Sequence, residues 1–295
     1  MPDPLPFYSN QSVMTDPGRY WASLERLPNG IAELCGVVQG IQLHVFWADR
    51  YGVTLSADRK NEVLLRSMDA KLARLLEIDA RPITDPRPPE NRLVGNCRDF
   101  SLILTSLLRS KGIPARLRCG FGAYFLPDHY EDHWVCEYWS ADENRWILVD
   151  AQLDGFQRSA LGAAFDPLDV PRDQFISGGQ AWQLCRSGIA DPETFGIFDM
   201  HGLWFVRGNL VRDVAALNKD ELLPWDSWGI IGVQDGDLSK DDLVLLDHAA
   251  ALTCADVPDI HAVWDLFRAD ARLTVPQEIE TYMDGSATTI EWAKA

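Results

Sequence analysis

The sequence has no segment typical of a secretory signal or of a membrane span. Its first residues, Met1–Pro6, contain neither a charged segment nor an apolar core of the signal-peptide type. No apolar run reaches the roughly 20 residues that a transmembrane helix needs. We therefore expect a cytoplasmic protein that has no membrane partner.

The cysteine spacing does not match the common structural zinc motif. The chain contains 6 cysteines, and no two of them form a C-x-x-C pair. Such pairs are typical of structural zinc sites, so no metal or other cofactor is expected. Thiols stay reduced in the cytoplasm, so we expect no disulfides. The cysteines concerned are Cys35, Cys97, Cys119, Cys136, Cys185 and Cys254.

Basic residues are too few for a nucleic-acid-binding protein. The chain has 27 Lys and Arg against 44 Asp and Glu, which gives a formal net charge of −17. Proteins that bind nucleic acids or anionic membranes present basic surfaces, so we exclude both as partners.

The composition that remains is that of an ordinary globular protein. The chain has 295 residues, of which 46% are hydrophobic and 24% charged. This length allows one large or two small domains. The sequence contains no internal repeat and no clear linker, and it does not define the oligomeric state.

Cys97 lies at the start of a predicted amphipathic helix. The apolar residues after it follow helical spacing and are Phe100, Ile103, Leu104, Leu107 and Leu108. Asn96 is a suitable N-cap, and the Ser110-Lys111-Gly112 segment is expected to end the helix. A helix N-terminus carries about half a positive charge, which favours a thiolate over a thiol. The alternative interpretation is that Cys97 is a small buried hydrophobic residue.

Strands are predicted after this helix. Alternating apolar residues at 115–121 indicate a half-buried strand, and the aromatic and β-branched residues at 133–139 indicate a second one. A third strand is expected at 146–150, which would form a hairpin with the second.

The register of this hairpin determines whether His133 and Asp150 meet. With a symmetric turn, Trp139 faces Trp146 and Val135 faces Asp150. His133 and Asp150 are then diagonal neighbours on one face of the sheet. A slip of one residue would place them on opposite faces.

Cysteine, histidine and aspartate in this order form a nucleophilic triad. The imidazole of His133 takes the proton of the Cys97 thiol, and the Asp150 carboxylate orients the ring. The thiolate attacks an amide, ester or thioester carbonyl and forms a thioester, which water or an amine resolves. We therefore expect a small-molecule or peptide substrate.

Several motifs in this segment resemble the core of the transglutaminase-like superfamily, bacterial relatives of papain-type cysteine enzymes. The resemblance covers about residues 91–154 and rests on Gly95-x-Cys97-Arg98-Asp99-Phe100-Ser101, Gly112-Ile113-Pro114-Ala115-Arg116, His133-Trp134-Val135 and Val149-Asp150. It implies Cys97 as nucleophile, His133 as general base and acid, and Asp150 as orienting carboxylate. The superfamily includes peptidases, amidases, crosslinking enzymes, acyltransferases and inactive members. No calcium-loop pattern is present, so calcium dependence is not transferred to this chain.

Further residues are candidates for binding the substrate or the oxyanion. In superfamily relatives a Gln or Trp side chain upstream of the cysteine can donate to the oxyanion, together with the cysteine's own N–H. Upstream residues of these types, or residues close in sequence to the triad, are Gln39, Gln42, Trp47, Asn96, Trp134 and Gln152. Trp225, beside Asp226 in an expected loop, is a further candidate for the substrate cleft.

The expected fold is α+β, with a papain-like or transglutaminase-like core and additional N- and C-terminal helices. In this core a helix bearing the cysteine packs on an antiparallel sheet bearing the histidine and the aspartate. We divide the chain into an N-terminal helical part at 1–90, the core at 91–155 and a mainly helical, Trp-rich part at 156–295. Helices are expected at 31–47, 61–76 and 174–187, and a buried segment, interpreted as a helix, begins at Leu203.

Two other functions remain open at this point. The chain could be a non-catalytic binding module, which a Cys97 sealed on every side would favour. It could also bind a metal ion through His129, Asp132 and His133, with Cys136 as a fourth ligand. Strand alternation separates these four residues unfavourably for a single ion.

Overall fold

The computed structural model describes residues 3–255, 257–283 and 286–292. No helix within these ranges combines the length and the apolar composition needed to cross a bilayer. Helices and strands are both present, so the fold is α+β as predicted. The helices are α1 (Leu5–Ser9), α2 (Ile31–Ile41), α3 (Ala57–Lys60), α4 (Met68–Ile78), α5 (Cys97–Ser110), α6 (Gly155–Leu161), α7 (Gly178–Arg186), α8 (Leu203–Leu217), α9 (Lys240–Thr253) and α10 (Ile260–Ala269).

The strands are mostly short. They are β1 (Gln42–His44), β2 (Leu93–Gly95), β3 (Ala115–Gly122), β4 (Tyr130–Ser140), β5 (Arg145–Val149), β6 (Phe175–Ser177), β7 (Phe195–Ile197), β8 (Met200–His201), β9 (Asp226–Ser227), β10 (Glu278–Met283) and β11 (Ser286–Glu291).

The chain forms two compact units, each built from separate stretches of sequence. The first unit consists of Leu5–Leu117 and Val135–Val170. The second consists of the described residues of Arg118–Trp134 and Pro171–Ala295, together with those of Met1–Pro4. Strands β3 and β4 therefore each begin in one unit and continue into the other.

Helix α5 lies at the centre of the first unit. Its apolar side chains are buried in one hydrophobic cluster with residues of α2, α4 and β5, among them Val38, Leu72 and Val149. Burial of one such side chain contributes about 1.5–3 kcal/mol. The N-terminal helices therefore share a single core with the helix that begins at Cys97.

The β4–β5 hairpin has the register predicted from the sequence. Trp139 pairs with Trp146, and Cys136 pairs with Val149. The pairing is antiparallel and excludes a slip by one residue, which would have changed the face on which every side chain lies. Asp150 directly follows the last residue of β5.

The second unit combines a sheet with a group of helices. Its strand order is β6-β3-β4-β7-β8, and a further sheet has the order β11-β10-β9. The segment from Leu203 forms helix α8, as predicted, and nearly all of it is buried. The hairpin β10–β11 was not predicted, because its alternation of polar and apolar residues is weak.

Three predicted helices begin or end at other residues. Helix α2 ends at Ile41, because Gln42–His44 pairs with Leu93–Gly95 as a parallel strand. Helix α4 starts only at Met68, where Ser67 caps it, and a 3₁₀ turn precedes it. The predicted helix at 174–187 begins as strand β6, after which Ser177 caps α7.

Strand β3 is not half-buried as predicted, since all of its residues are buried. Its polar positions are arginines that form internal ion pairs: Arg116 with Glu137 at 2.7 Å and Arg118 with Asp213 at 2.9 Å. Alternation of apolar and polar residues therefore did not indicate a solvent-exposed face. The predicted division at residues 90 and 155 stays a prediction.

Candidate active site

Cys97 is the first residue of helix α5, as predicted. The Asn96 side chain accepts a hydrogen bond from the Asp99 N–H at 3.2 Å, which confirms Asn96 as the N-cap. Asp99 completes a capping box, because its Oδ2 accepts from the Asn96 N–H at 3.2 Å. Together the two caps fix the first turn, whose partial positive charge favours a thiolate at Cys97.

The environments of the cysteines differ. Cys97 is 7% exposed, so it is not completely sealed. Burial raises the pKa of the Cys35 thiol far above its usual value and raises that of Cys136 to about 12. Burial, and then the charge of Asp191, raise the pKa of Cys185 to about 11. These three thiols are therefore poor nucleophiles near neutral pH.

Gln42 packs directly against the segment that leads into Cys97. Its side chain is buried at 1% exposure, and its carboxamide makes no hydrogen bond to any residue that the structure describes. A Cβ atom on Gly95 would lie 1.8 Å from Gln42 Nε2 and 2.6 Å from Asp99 Oδ2. Only glycine therefore fits at position 95 with these side chains in place.

The other two upstream candidates have different surroundings. Gln39 uses its Nε2 to donate to the Ala151 carbonyl at 3.2 Å. Trp47 packs edge-on against Phe156 and carries the Arg50 guanidinium over its ring, 4.4 Å from the centroid. Among these three upstream candidates, Gln42 is the one whose carboxamide forms no hydrogen bond with a described residue.

Asp150 and Gln152 lie just after strand β5. Asp150 is 2% exposed, and its Oδ1 accepts from the Gln152 N–H at 3.0 Å. The Gln152 side chain donates to Gln157 Oε1 at 3.1 Å, while its own Oε1 has no partner among the described residues.

Gln42 and Gln152 line one small polar cavity of the first unit. Most of the other lining residues also carry carboxamide, hydroxyl or charged groups, and the full set is Gln39, Gln42, Leu43, His44, Tyr51, Arg92, Phe100, Gln152, Asp154 and Gln157. The Tyr51 hydroxyl donates to Asp154 Oδ2 at 2.7 Å, which holds one wall in place. The cavity thus joins the strand beside the cysteine helix to the segment after Asp150.

His133, Trp134 and Trp225 belong to the second unit. His133 is a buried residue of β4, at 1% exposure, and its ring packs edge-on against Tyr124 and Phe125 with centroid distances of 5.8 and 4.8 Å. The proposed contact of His133 with Cys97 and Asp150, and the roles of Trp134 and Trp225, stay predictions.

The residues of the metal-site hypothesis have other partners. Asp132 Oδ1 accepts from Asn209 Nδ2 at 2.8 Å. His129 lies 3.3 Å from Glu131, and Cys136 Sγ accepts from the Thr105 hydroxyl at 3.2 Å. No group of three or more metal-binding side chains is found among the residues that the structure describes.

Sequence reasoning missed the charged residues around the first turn of α5. Lys71 Nζ lies 2.8 Å from Asp99 Oδ1, and both side chains are almost completely buried. The capping role of Asp99 could have been recognised from the Asn-x-x-Asp spacing at residues 96–99. The part played by Lys71 has no local signal, because its partner is distant in sequence.

Comparison with known proteins identifies one family. Residues 89–151 match the model of the transglutaminase-like superfamily. Among solved structures, the chain is similar to a protein from Cytophaga hutchinsonii that was solved as a candidate cysteine protease, with 16% sequence identity and a TM-score of 0.34. The similarity covers 60% of this chain and 46% of that protein, so the chain spans less than half of its length. No curated protein matches the sequence.

The matched range contains the features on which the resemblance rests. It includes Cys97 at the start of its capped helix, strand β4 with His133, and Asp150 after β5. The resemblance predicted from the motifs is confirmed over residues 89–151, which match the transglutaminase-like superfamily model.

Proposed function

We propose that this protein is a cysteine enzyme that acts on an amide, ester or thioester by acyl transfer or hydrolysis. The observation that carries the proposal is Cys97 at the first position of a helix with a complete capping box, inside the superfamily match. Thiols at such helix N-termini have pKa values lowered from about 8.5 into the range of roughly 3.5–7.5.

In the proposed reaction, His133 accepts the proton of the Cys97 thiol, and the thiolate attacks the carbonyl carbon of the substrate. The tetrahedral intermediate collapses to a thioester, while the imidazolium gives its proton to the leaving amine, alcohol or thiol. Asp150 fixes the ring tautomer and stabilises the imidazolium. In the second half, His133 deprotonates water or an amine, which attacks the thioester and releases Cys97.

We assign Gln42 as the side-chain donor to the oxyanion, together with the Cys97 N–H. This assignment is supported by the unoccupied hydrogen-bonding capacity of the buried Gln42 carboxamide and by its packing on Gly95. Gln39 is less suited, because its amide already donates to the Ala151 carbonyl. One oxyanion donor stabilises the transition state by about 2.7–4 kcal/mol.

The polar cavity beside Gln42 has room for about one water molecule and is too small to hold a substrate group. Its walls offer carboxamides and a hydroxyl beside one guanidinium and one carboxylate. Whether the product is an acid or a new amide depends on whether water or an amine reaches the thioester first.

The test uses a generic acyl donor, p-nitrophenyl acetate, with and without added amine. The wild-type protein should release p-nitrophenol, and mass spectrometry should find the acetyl group on Cys97. Cys97→Ala should abolish both signals, whereas Cys185→Ala should retain them, since Cys185 lies outside the superfamily match. Iodoacetamide should modify Cys97 faster than the other five cysteines.

A non-catalytic binding module is the outcome that would replace this proposal. It would follow if Cys97 were alkylated no faster than the partly exposed Cys185 and Cys254 and no acetyl-enzyme formed.

A further inference from the structure

A buried ion pair joins helix α4 to the first turn of the cysteine helix. Lys71 Nζ lies 2.8 Å from Asp99 Oδ1, with side-chain exposures of 1% and 0%. Burying two charges costs desolvation free energy that their attraction rarely exceeds, so such a pair is weak evidence for stabilisation. Asp99 is two residues from Cys97, so the pair lies against the helix turn that carries the thiol.

Asp99 connects this pair to the backbone around Cys97. Its Oδ2 accepts from the Asn96 N–H, and its own N–H donates to the Asn96 side chain. Arg98 is a second buried cation here, with Nη1 at 3.1 Å from Asp99 Oδ1 and at 2.8 Å from the Arg66 carbonyl. The residues on both sides of Cys97 are thus held by charged groups away from water.

Glu62 is a second buried anion whose charge acts on Lys71. Its Oε2 accepts from the Val94 N–H at 2.8 Å, and its Oε1 lies 2.9 Å from both Arg59 and Arg74. The charged groups that act on Lys71 are therefore Asp99, Arg98 and Glu62.

We propose that Lys71 is a positioning residue that sets the thiolate fraction of Cys97 through its buried positive charge and its contact with Asp99. The inference rests on the proposed function of Cys97 as nucleophile. A cation near the thiol stabilises the thiolate, and burial reduces the screening by water and salt. Removing the charge should raise the thiol pKa by about 1, which shifts the pH midpoint of thiolate formation by the same amount.

The charge of Lys71 is also sensitive to pH. Burial lowers its pKa to about 8, although the charge of Asp99 acts in the opposite direction. The side chain therefore loses its proton at a lower pH than an exposed lysine does, and its support of the thiolate weakens above pH 8.

The experiment measures the rate of iodoacetamide alkylation at Cys97 between pH 5 and pH 10, with the modified peptide quantified by mass spectrometry. Lys71→Met should raise the pH midpoint of alkylation by about 1. Lys111→Met is the matched control, because Lys111 caps the far end of the same helix and its Nζ donates to the Leu27 carbonyl at 3.0 Å. That variant should keep the wild-type midpoint.

Glu62→Gln should shift the pH midpoint of Cys97 alkylation in the opposite direction from Lys71→Met. Loss of this buried negative charge should lower the alkylation midpoint, whereas a general loosening of the first turn would raise it as Lys71→Met does. This second variant also decides the matter if Lys71→Met does not fold, as circular dichroism would show.

The two possible failures have different signatures. A wild-type Cys97 with the midpoint of an ordinary thiol would overturn the proposed function. A low wild-type midpoint that Lys71→Met leaves unchanged, or that Glu62→Gln raises, would overturn the role of Lys71 alone.

Discussion

At the scale of single residues, the segment before Cys97 depends on one glycine and one carboxamide. Gly95 is required because Gln42 Nε2 and Asp99 Oδ2 occupy the space that a side chain would need. The close approach buries Gln42 without giving it a hydrogen-bond partner among the described residues. An unpaired buried amide costs about 1–3 kcal/mol, a cost that an oxyanion could remove during the reaction.

Gln42→Ala tests this assignment. We expect acylation of Cys97 by p-nitrophenyl acetate to slow by about 10²–10³, because the tetrahedral oxyanion loses a donor. Alkylation by iodoacetamide forms no oxyanion, so its rate should stay close to that of the wild type. Gln39→Ala should slow acylation less, and an equal or greater loss in that variant would assign the donor role to Gln39 instead.

Sequence reasoning identified the residues whose signals are local. Cys97 and its cap Asn96 follow from helix periodicity and capping preferences, and both are confirmed as elements of α5. Lys71 and Glu62 could not be found in this way, because an ion pair between segments far apart in sequence produces no periodic pattern. The contacts of His133 with Cys97 and Asp150 were predicted from the hairpin register and stay a prediction.

At the scale of secondary-structure elements, the buried arginines of β3 explain why pattern reasoning misjudged its exposure. Arg118 is paired with Asp213 of α8, whose Oδ1 also accepts from the Cys119 N–H at 2.9 Å. The polar positions of this strand therefore face helices and strands and not water. The end of α2 was misjudged because Val45 continues the helical spacing from Ile41, although Gln42–His44 form the parallel strand β1.

Arg118→Met should strongly destabilise the protein. It leaves the Asp213 carboxylate buried at 0% exposure without its guanidinium partner. Breaking a buried pair in this way typically costs about 3–5 kcal/mol. Urea unfolding measures the change, and the double variant Arg118→Met with Asp213→Asn should regain part of the loss. No loss in the single variant would show that the pair contributes little.

At the scale of the whole molecule, a chain with a net charge of −17 carries some carboxylates in unfavourable surroundings. Burial, and then the charge of Asp132, raise the pKa of Glu131 to about 7. The folded state thus binds a proton more tightly than the unfolded chain does. Stability contributed by this group is complete below the unfolded pKa of about 4.5 and falls as the pH rises towards 7.

Glu131→Gln should remove this pH dependence. We expect the variant to be more stable than the wild type at pH 7.5 by about 1 kcal/mol, since partial exposure to water screens the effect, and to match it near pH 4.5. Urea unfolding at both pH values provides the comparison, with the exposed Glu25→Gln as control. Equal stabilisation at both pH values would point to a cause other than ionisation.

Neither compact unit corresponds to one uninterrupted stretch of the gene. The first unit is interrupted between Leu117 and Val135. The intervening segment, which includes His133, belongs to the second unit. Truncation from either end therefore cannot isolate the first unit, and an excised piece covering only residues 89–151 would lack Val38 and Leu72, which share its core. Anyone who wishes to recombine this core with other sequences must graft it together with its N-terminal helices.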